Sequence, residues 1–236
     1  FPGAMAMYIA MKGFLLVEEH EFEKARHFFR EHDLRFDKKI AHTEELGYSS
    51  YALLLIIEGK LREAEMLLSN LLHSAHSAKR LERVIEIHVL IAILNKASGN
   101  REQALSHLME ALTIASEDHI LMSFVLFHSW ISDLLKEVFR LQATTKTGIS
   151  RRVTDKLKQA LEKREKSLRV FKESGISERE RDTLKLMAEE LTNQEIADTL
   201  FISLNTVKTH VKNIFLKLDA ETRSSAVSKA RALGLI

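Results

Sequence analysis

The chain has 236 residues, 45% of them hydrophobic, with a formal net charge of +2, one proline, eight glycines and no cysteine. That is enough apolar material for a real core and argues against wholesale disorder. The lack of cysteine excludes disulfide scaffolds, thiolate zinc sites and cysteine nucleophiles. So few turn-forming residues favour an all-α protein. The opening FPGAM reads as a cloning remnant and is set aside from the fold. Past that opening, the apolar stretch YALLLII at 51–57 is too short to span a bilayer. Nothing at the start reads as a secretory leader. A cytoplasmic protein with no membrane role is expected.

In chain order, the first signal is a repeat. HEFEKARHFF (20–29), GKLREAEMLL (59–68) and GNREQALSHL (99–108) align, and their alanines Ala25, Ala64 and Ala104 are 39 and 40 residues apart. A period of this length with helical patterning marks a helix-pair solenoid. Gly59 and Gly99 are placed to end one helix in the left-handed conformation. Each alanine then sits where two backbones cross, with Phe29, Leu68 and Leu108 filling the groove a turn later. Residues 120–141 carry Phe124, Phe127, Trp130, Ile131, Leu134 and Leu135, too apolar for a free helix, and are expected to cap the stack. Residues 1–141 are therefore read as one helical-repeat domain.

Eleven histidines raise the question of a metal. His73 and His76 share a helical face, but no third ligand lies at a recognisable spacing and HExxH is absent. Solvated or hydrogen-bonded histidines fit better, and neither metal nor cofactor is expected in the chain. Tyr48, Tyr51 and His88 are open to two readings, as the lining of a concave ligand groove or as helix packing. Residues 142–150, QATTKTGIS, lack a periodic apolar face and read as a boundary. Residues 151–174 read as a basic helix with Val153, Leu157, Leu161, Leu168 and Phe171 on one stripe; it could pack on its neighbours, pair with a second chain or attract phosphates non-specifically, and a solvated connector is the plainer reading. Residues 142–175 together form the expected linker.

The terminal segment 176–236 is the most informative. SERE at 177–180 and TNQE at 192–195 are two capping boxes, Ser203 and Thr222 are N-caps, and Gly234 is a helix stop. Helices near 178–190, 193–200, 204–218 and 223–233 follow. The short link 201–203 between the second and third makes a helix-turn-helix. The segment is electrically uneven: residues 178–198 hold 3 Lys+Arg against 7 Asp+Glu, whereas 203–236 hold 6 against 2. Such a module can orient on a polyanion. On the third helix, at about 100° per residue, Val207, Val211, Ile214 and Leu218 form the buried stripe. Opposite lie Asn205, Thr209 and Lys212, with Lys208 flanking. They crowd into the first half of the helix, the end that enters the major groove in helix-turn-helix proteins. Lysine can donate to guanine, asparagine to adenine, and a threonine methyl can meet thymine. Thr206 and Asn193, near helix starts, are placed to touch phosphates. The competing reading is a solvated face; the two boxes, the tight turn and the basic half weigh against it together.

ISERERDTLKLMAEELTNQEIADTLFISLNTVKTHVKNIFLKLDAETRSSAVSKARALGLI resembles the LuxR/NarL-type four-helix DNA-binding domain from end to end, with Glu180, Asn193, Glu195, Ser203, Thr206, Val207, Lys208, His210, Lys217 and Arg223 among the matching positions. The resemblance implies base-facing roles for Lys208, Thr209 and Lys212, and pairing of two domains through the fourth helix on adjacent half-sites; His210, a matching position, joins the candidate DNA contacts. Glu190 departs from it, standing where a glycine usually ends the first helix, so that turn is expected to differ slightly. Asn205 and Leu216 fall at variable positions. The repeats resemble tetratricopeptide repeats in the lengthened, MalT-like form, whose superhelix is a sensor or docking surface. Large relatives carry a nucleotide-binding domain, but no GxxxxGK[ST] loop exists in this sequence.

The expectation is an all-α bacterial transcription regulator, an activator by the resemblance. Its partners would be double-stranded DNA, a second copy on DNA, RNA polymerase, and an inducer or protein at the repeats. The alternative is a repeat-based adaptor whose terminal helices bind a protein such as RNA polymerase. No nucleophile–base spacing or phosphate loop suggests an enzyme.

Overall fold

The computed structural model describes residues 2–38, 40–41, 44–118, 120–144 and 147–236; of residues 2–3 and 116–118 it describes the backbone alone. Every regular element among the described residues is a helix, as the scarcity of turn residues predicts. The chain divides into two compact units, Phe1–Lys158 and Gln159–Ile236.

The first unit holds α1 (Pro2–Glu18), α2 (Phe22–Glu31), α3 (Glu45–Ile57), α4 (Leu61–Ser77), α5 (Leu81–Ala97), α6 (Arg101–Asp118), α7 (Met122–Leu126) and α8 (His128–Thr144). Each odd-numbered helix packs on the even-numbered one that follows, and α1, α3, α5 and α7 pack in succession on one another. This is the solenoid that the repeat implies. Gly59 and Gly99 have φ of 75° and 79°, so the helix stops are the left-handed ones expected. Ala25, Ala64 and Ala104 are fully buried, with Phe29, Leu68 and Leu108 beside them. At full burial, a larger side chain at these positions would have to displace packed neighbours.

Two parts differ from the sequence reading. Pro2 to Met5 lie inside α1, with Pro2 in the first turn, where its missing N–H costs nothing, and Ala6 is buried a turn later. The opening is thus part of the fold; only Phe1 lies outside the described residues. The expected cap is not one helix but a further pair, α7 and α8, broken at Phe127, with Phe124, Ile131, Leu134 and Leu135 buried.

Among the ionic groups that tie these helices, two centre on Glu45 and Asp133. Glu45 of α3, 2% exposed, pairs with Arg80 at 2.6 Å and accepts from Ser74 Oγ at 2.6 Å. Burial pushes this carboxyl up, but Arg80 and Ser74 outweigh it and the net direction is down. Asp133 of α8 pairs with Lys96 of α5 and Arg101 of α6.

The basic helix read at 151–174 is α9 (Arg151–Ser174). It is not simply solvated. Val153 and Leu157 are fully buried in the first unit, and in the second unit Val170 and Phe171 pack on the core. Leu168 stays 47% exposed. In the boundary segment before it, Thr145 and Lys146 lie outside the described residues, while Gln142 donates to the Ile149 carbonyl at 3.0 Å.

Candidate nucleic-acid interface

The second unit continues with α10 (Glu178–Ala188), α11 (Asn193–Leu200), α12 (Leu204–Lys217) and α13 (Arg223–Leu233). Local chemistry sets each start. Ser177 Oγ accepts from the Glu180 N–H while the Glu180 carboxylate accepts from the Ser177 N–H, and Thr192 and Glu195 repeat the exchange. Ser203 caps α12 and Thr222 caps α13 through their hydroxyls. Each cap satisfies donors that a helix start leaves unpaired.

The turn between α11 and α12 runs through Phe201, which has φ of 55° and is 95% exposed. The Ile202 N–H then returns to the Ala197 carbonyl at 3.0 Å. Glu190 also adopts the left-handed conformation, φ 65°. The departure from glycine therefore leaves the turn in the shape a glycine would take, with the strain borne by a residue carrying a Cβ.

The core fixes α12. Val207, Ile214 and Leu218 are buried among Leu184, Met187, Ile196, Ala226 and Ala230, with Val211 packed beside them. At the far end, Lys217 Nζ reaches Glu180 at 2.6 Å, joining α12 to α10. Glu180 is 3% exposed. Burial raises its carboxyl, but Lys217 and the cap at Ser177 hold it below the ordinary value. This contact joins residues 37 apart, and only the matching of both positions to the family pattern hinted at it in the sequence.

With that side committed, Asn205, Thr206, Lys208, Thr209 and Lys212 are all exposed on α12. Among the described residues neither Lys208 nor Lys212 has an ion-pair partner. The Thr209 hydroxyl donates to the Asn205 carbonyl at 3.0 Å, so its proton is committed to the helix. The Thr206 and Ser203 hydroxyls lie 2.8 Å apart. His210 is half-buried on the flank of the core stripe, next to Thr206 around the helix. Asn193, at the start of α11, is half-buried and accepts from Arg223 at 3.5 Å, while Arg223 also donates to the Leu191 carbonyl. Burial lowers the Arg223 pKa. Leu216, 70% exposed, extends the exposed face toward the C-terminal end of α12.

In the first unit, Tyr48 and His88 are buried and Tyr51 half-buried, with Tyr48 and Tyr51 in an edge-to-face contact. Tyr48 also lines a cavity of about 240 Å³ and Tyr51 a separate one of about 270 Å³, so the three residues share no single groove. Larger cavities lie elsewhere in the unit. One of about 450 Å³ is lined by Arg62, Glu65, Ser69, Asn95, Gln103 and His107. Another of about 400 Å³ is walled by Met7, Met11, Phe14 and Phe127 around Arg83 and Glu86.

The family described as "Bacterial regulatory proteins, luxR family" matches residues 174–230, and "MalT-like TPR region" matches residues 4–142. The chain is 25% identical over 195 residues to the HTH-type transcriptional regulator MalT of Klebsiella pneumoniae, covering 75% of this chain and 22% of that protein. It is 24% identical over 216 residues to MalT of Vibrio cholerae, covering 84% and 24%. Against the transcriptional regulatory protein LiaR of Bacillus subtilis it is 44% identical over 62 residues, 26% of this chain and 29% of the relative. The chain thus spans about a quarter of the length of these relatives. No solved structure gives a significant match. A capped helix-turn-helix unit follows a solenoid with the period of the MalT-like repeats, and the chain belongs to the MalT-like TPR family, with a LuxR-family regulatory domain at its C-terminal end.

Proposed function

We propose that this chain is the DNA-reading and signal-receiving portion of a bacterial cytoplasmic transcriptional activator. The observation that carries the reading is that Lys212, opposite the core stripe of α12, and Lys208, flanking it, are exposed and without an ion pair among the described residues. On this reading α12 enters the major groove. Lys208 and Lys212 donate to base edges, while Asn205 and Thr209 contact neighbouring bases. Thr206 and Asn193 approach phosphates at the N-terminal ends of α12 and α11. His210, half-buried beside Thr206, contacts DNA at the flank of this face. Two units pair through α13, which places two copies of α12 about one DNA turn apart. Residues 1–141 act as the sensor or docking domain, with the cavity of about 450 Å³ as the place for a polar inducer. No helix among the described residues is long and apolar enough to cross a membrane. The chain acts without a cofactor and without catalysis of its own.

A second reading rests on Phe201 and Leu216, apolar side chains 95% and 70% exposed beside the proposed DNA face. They suit a protein contact, such as RNA polymerase, either alongside DNA or instead of it.

Titrating a promoter fragment at several salt concentrations separates the two. DNA binding weakens linearly in log Kd against log salt as phosphate contacts release counterions. Lys212→Ala is expected to cost about 1–3 kcal/mol of affinity for the specific site. Unchanged affinity in both Lys208→Ala and Lys212→Ala refutes the DNA-reading role.

A further inference from the structure

We propose that His88, His107 and Glu110 form a binding site for a divalent transition-metal ion of the imidazole-preferring kind, with Zn²⁺ as the reference case, joining α5 to α6. The site does not rest on the DNA-reading role. His107 and Glu110 stand three residues apart on one face of α6, and α6 packs along α5, which carries His88.

The geometry is that of ligands around a shared centre. His88 Nδ1 and His107 Nδ1 lie 3.0 Å apart, and Glu110 Oε2 lies 3.6 Å from His88 Nδ1. One ligand atom from each of the three residues falls within 4.8 Å of the others. With metal–ligand bonds of about 2.0–2.1 Å, tetrahedral donors stand about 3.3 Å apart, a value the first two distances bracket.

The simpler account is a histidine pair bonded to itself; what favours an ion over it is that the Glu110 carboxylate converges on the same His88 Nδ1. His88 is 2% exposed, and its Nε2, across the ring from these donors, is buried without a hydrogen-bond partner among the described residues and takes no part in the site. Glu110 is exposed, which gives an ion entry and leaves the remaining position open to water. The His76 ring of α4 stands 6.3 Å from that of His88, centroid to centroid, and its exposed side chain can swing in as a fourth donor. His107 also lines the cavity of about 450 Å³, so an ion held here would face that space.

The test is calorimetric titration of the full chain with Zn²⁺ at neutral pH, paired with Co²⁺ absorption, which reports the coordination directly. His88→Gln alters a buried position and can fail to fold, so the more exposed His107→Ala and Glu110→Gln carry the test, with His27→Ala on α2 as a control away from the site. The expected result is that His107→Ala and Glu110→Gln each weaken one ion's binding at least about tenfold, change the Co²⁺ spectrum and abolish a Zn²⁺-dependent rise in Tm, while His27→Ala changes none of these. Wild-type affinity in both His107→Ala and Glu110→Gln, or no saturable binding by the wild-type chain, overturns the proposal.

Discussion

Glu180→Gln isolates the charge that ties α10 to α12. In the native unit, one carboxylate oxygen accepts from the Ser177 N–H at 2.7 Å and from Lys217 Nζ at 2.6 Å. Glutamine keeps an acceptor for Ser177 but offers no charge to Lys217. Stripping one partner from a fully buried pair costs about 3–5 kcal/mol, and an exposed pair is worth about 0–1 kcal/mol. Glu180 is 3% exposed, but the Lys217 side chain is 36% exposed and keeps part of its hydration. The substitution should therefore cost about 2 kcal/mol, between the two limits. Glu180→Ala also removes half of the capping box, which adds about 1 kcal/mol. The single tryptophan, Trp130, lies in the first unit, so its fluorescence reports the wrong part of the chain. Hydrogen exchange in peptides of α10 and α12, measured across a urea series, reads the right one. The pH dependence is a second check. Burial raises the Glu180 carboxyl, Lys217 and Ser177 lower it, and the net direction is below 4.5. A depressed carboxylate contributes stability that is fully present above its unfolded pKa and is lost as pH falls through its folded value. The gap between wild type and Glu180→Gln should stay constant above about pH 4.5 and close only below it. A gap under about 0.5 kcal/mol, or one already closing at about pH 6, would refute the ionised, coupled pair.

Glu190→Gly should stabilise the second unit by about 0.5–1 kcal/mol. It relieves a left-handed strain of about 1–2 kcal/mol and gives back about 0.4–1 kcal/mol in unfolded-chain entropy; the same exchange measurement checks it, and a loss of stability counts against it. Arg80→Met leaves Glu45 buried without its principal cation. It should cost the first unit about 3 kcal/mol, visible as a lower urea midpoint in Trp130 fluorescence. Thr209→Val removes a hydroxyl whose proton is tied to the Asn205 carbonyl, so thermal unfolding should move by less than about 0.5 kcal/mol in free energy. On the proposed reading its DNA affinity also changes little, since the methyl remains; a large loss would mean that the hydroxyl oxygen accepts from a base or phosphate.

What was legible in the sequence is what is encoded at short range. The caps of α10, α11, α12 and α13 are exchanges between residues three apart, so SERE, TNQE, Ser203 and Thr222 announce them directly. The buried stripe of α12 follows from helical period, and Gly59 and Gly99 mark their turns because few other residues accept those φ values. The break at Phe127 carries no glycine or proline, so 120–141 reads as one helix where there are two. Glu190 and Phe201 take left-handed conformations without the residue that normally signals them; their neighbours hold them there. Pairings such as Glu180 with Lys217, or His88 with His107, depend on how helices pack, and no local spacing points to them.

The division of labour on α12 bears on how the proposed reading head could change. Val207, Ile214 and Leu218 hold the helix to the core, and Lys217 anchors its last turn to α10. Lys208 and Lys212 make no ion pair among the described residues, and Thr209 bonds only to its own helix. Substitutions at the exposed positions therefore leave the fold's interactions nearly intact, whereas substitutions in the stripe remove buried area and leave cavities. Sequence preference and stability become nearly independent variables, coupled chiefly at Thr206, whose hydroxyl meets the Ser203 cap. A change of operator through residues 205, 208, 209 and 212 needs no compensating change in the core, while a change at Thr206 disturbs the start of the helix that carries them all.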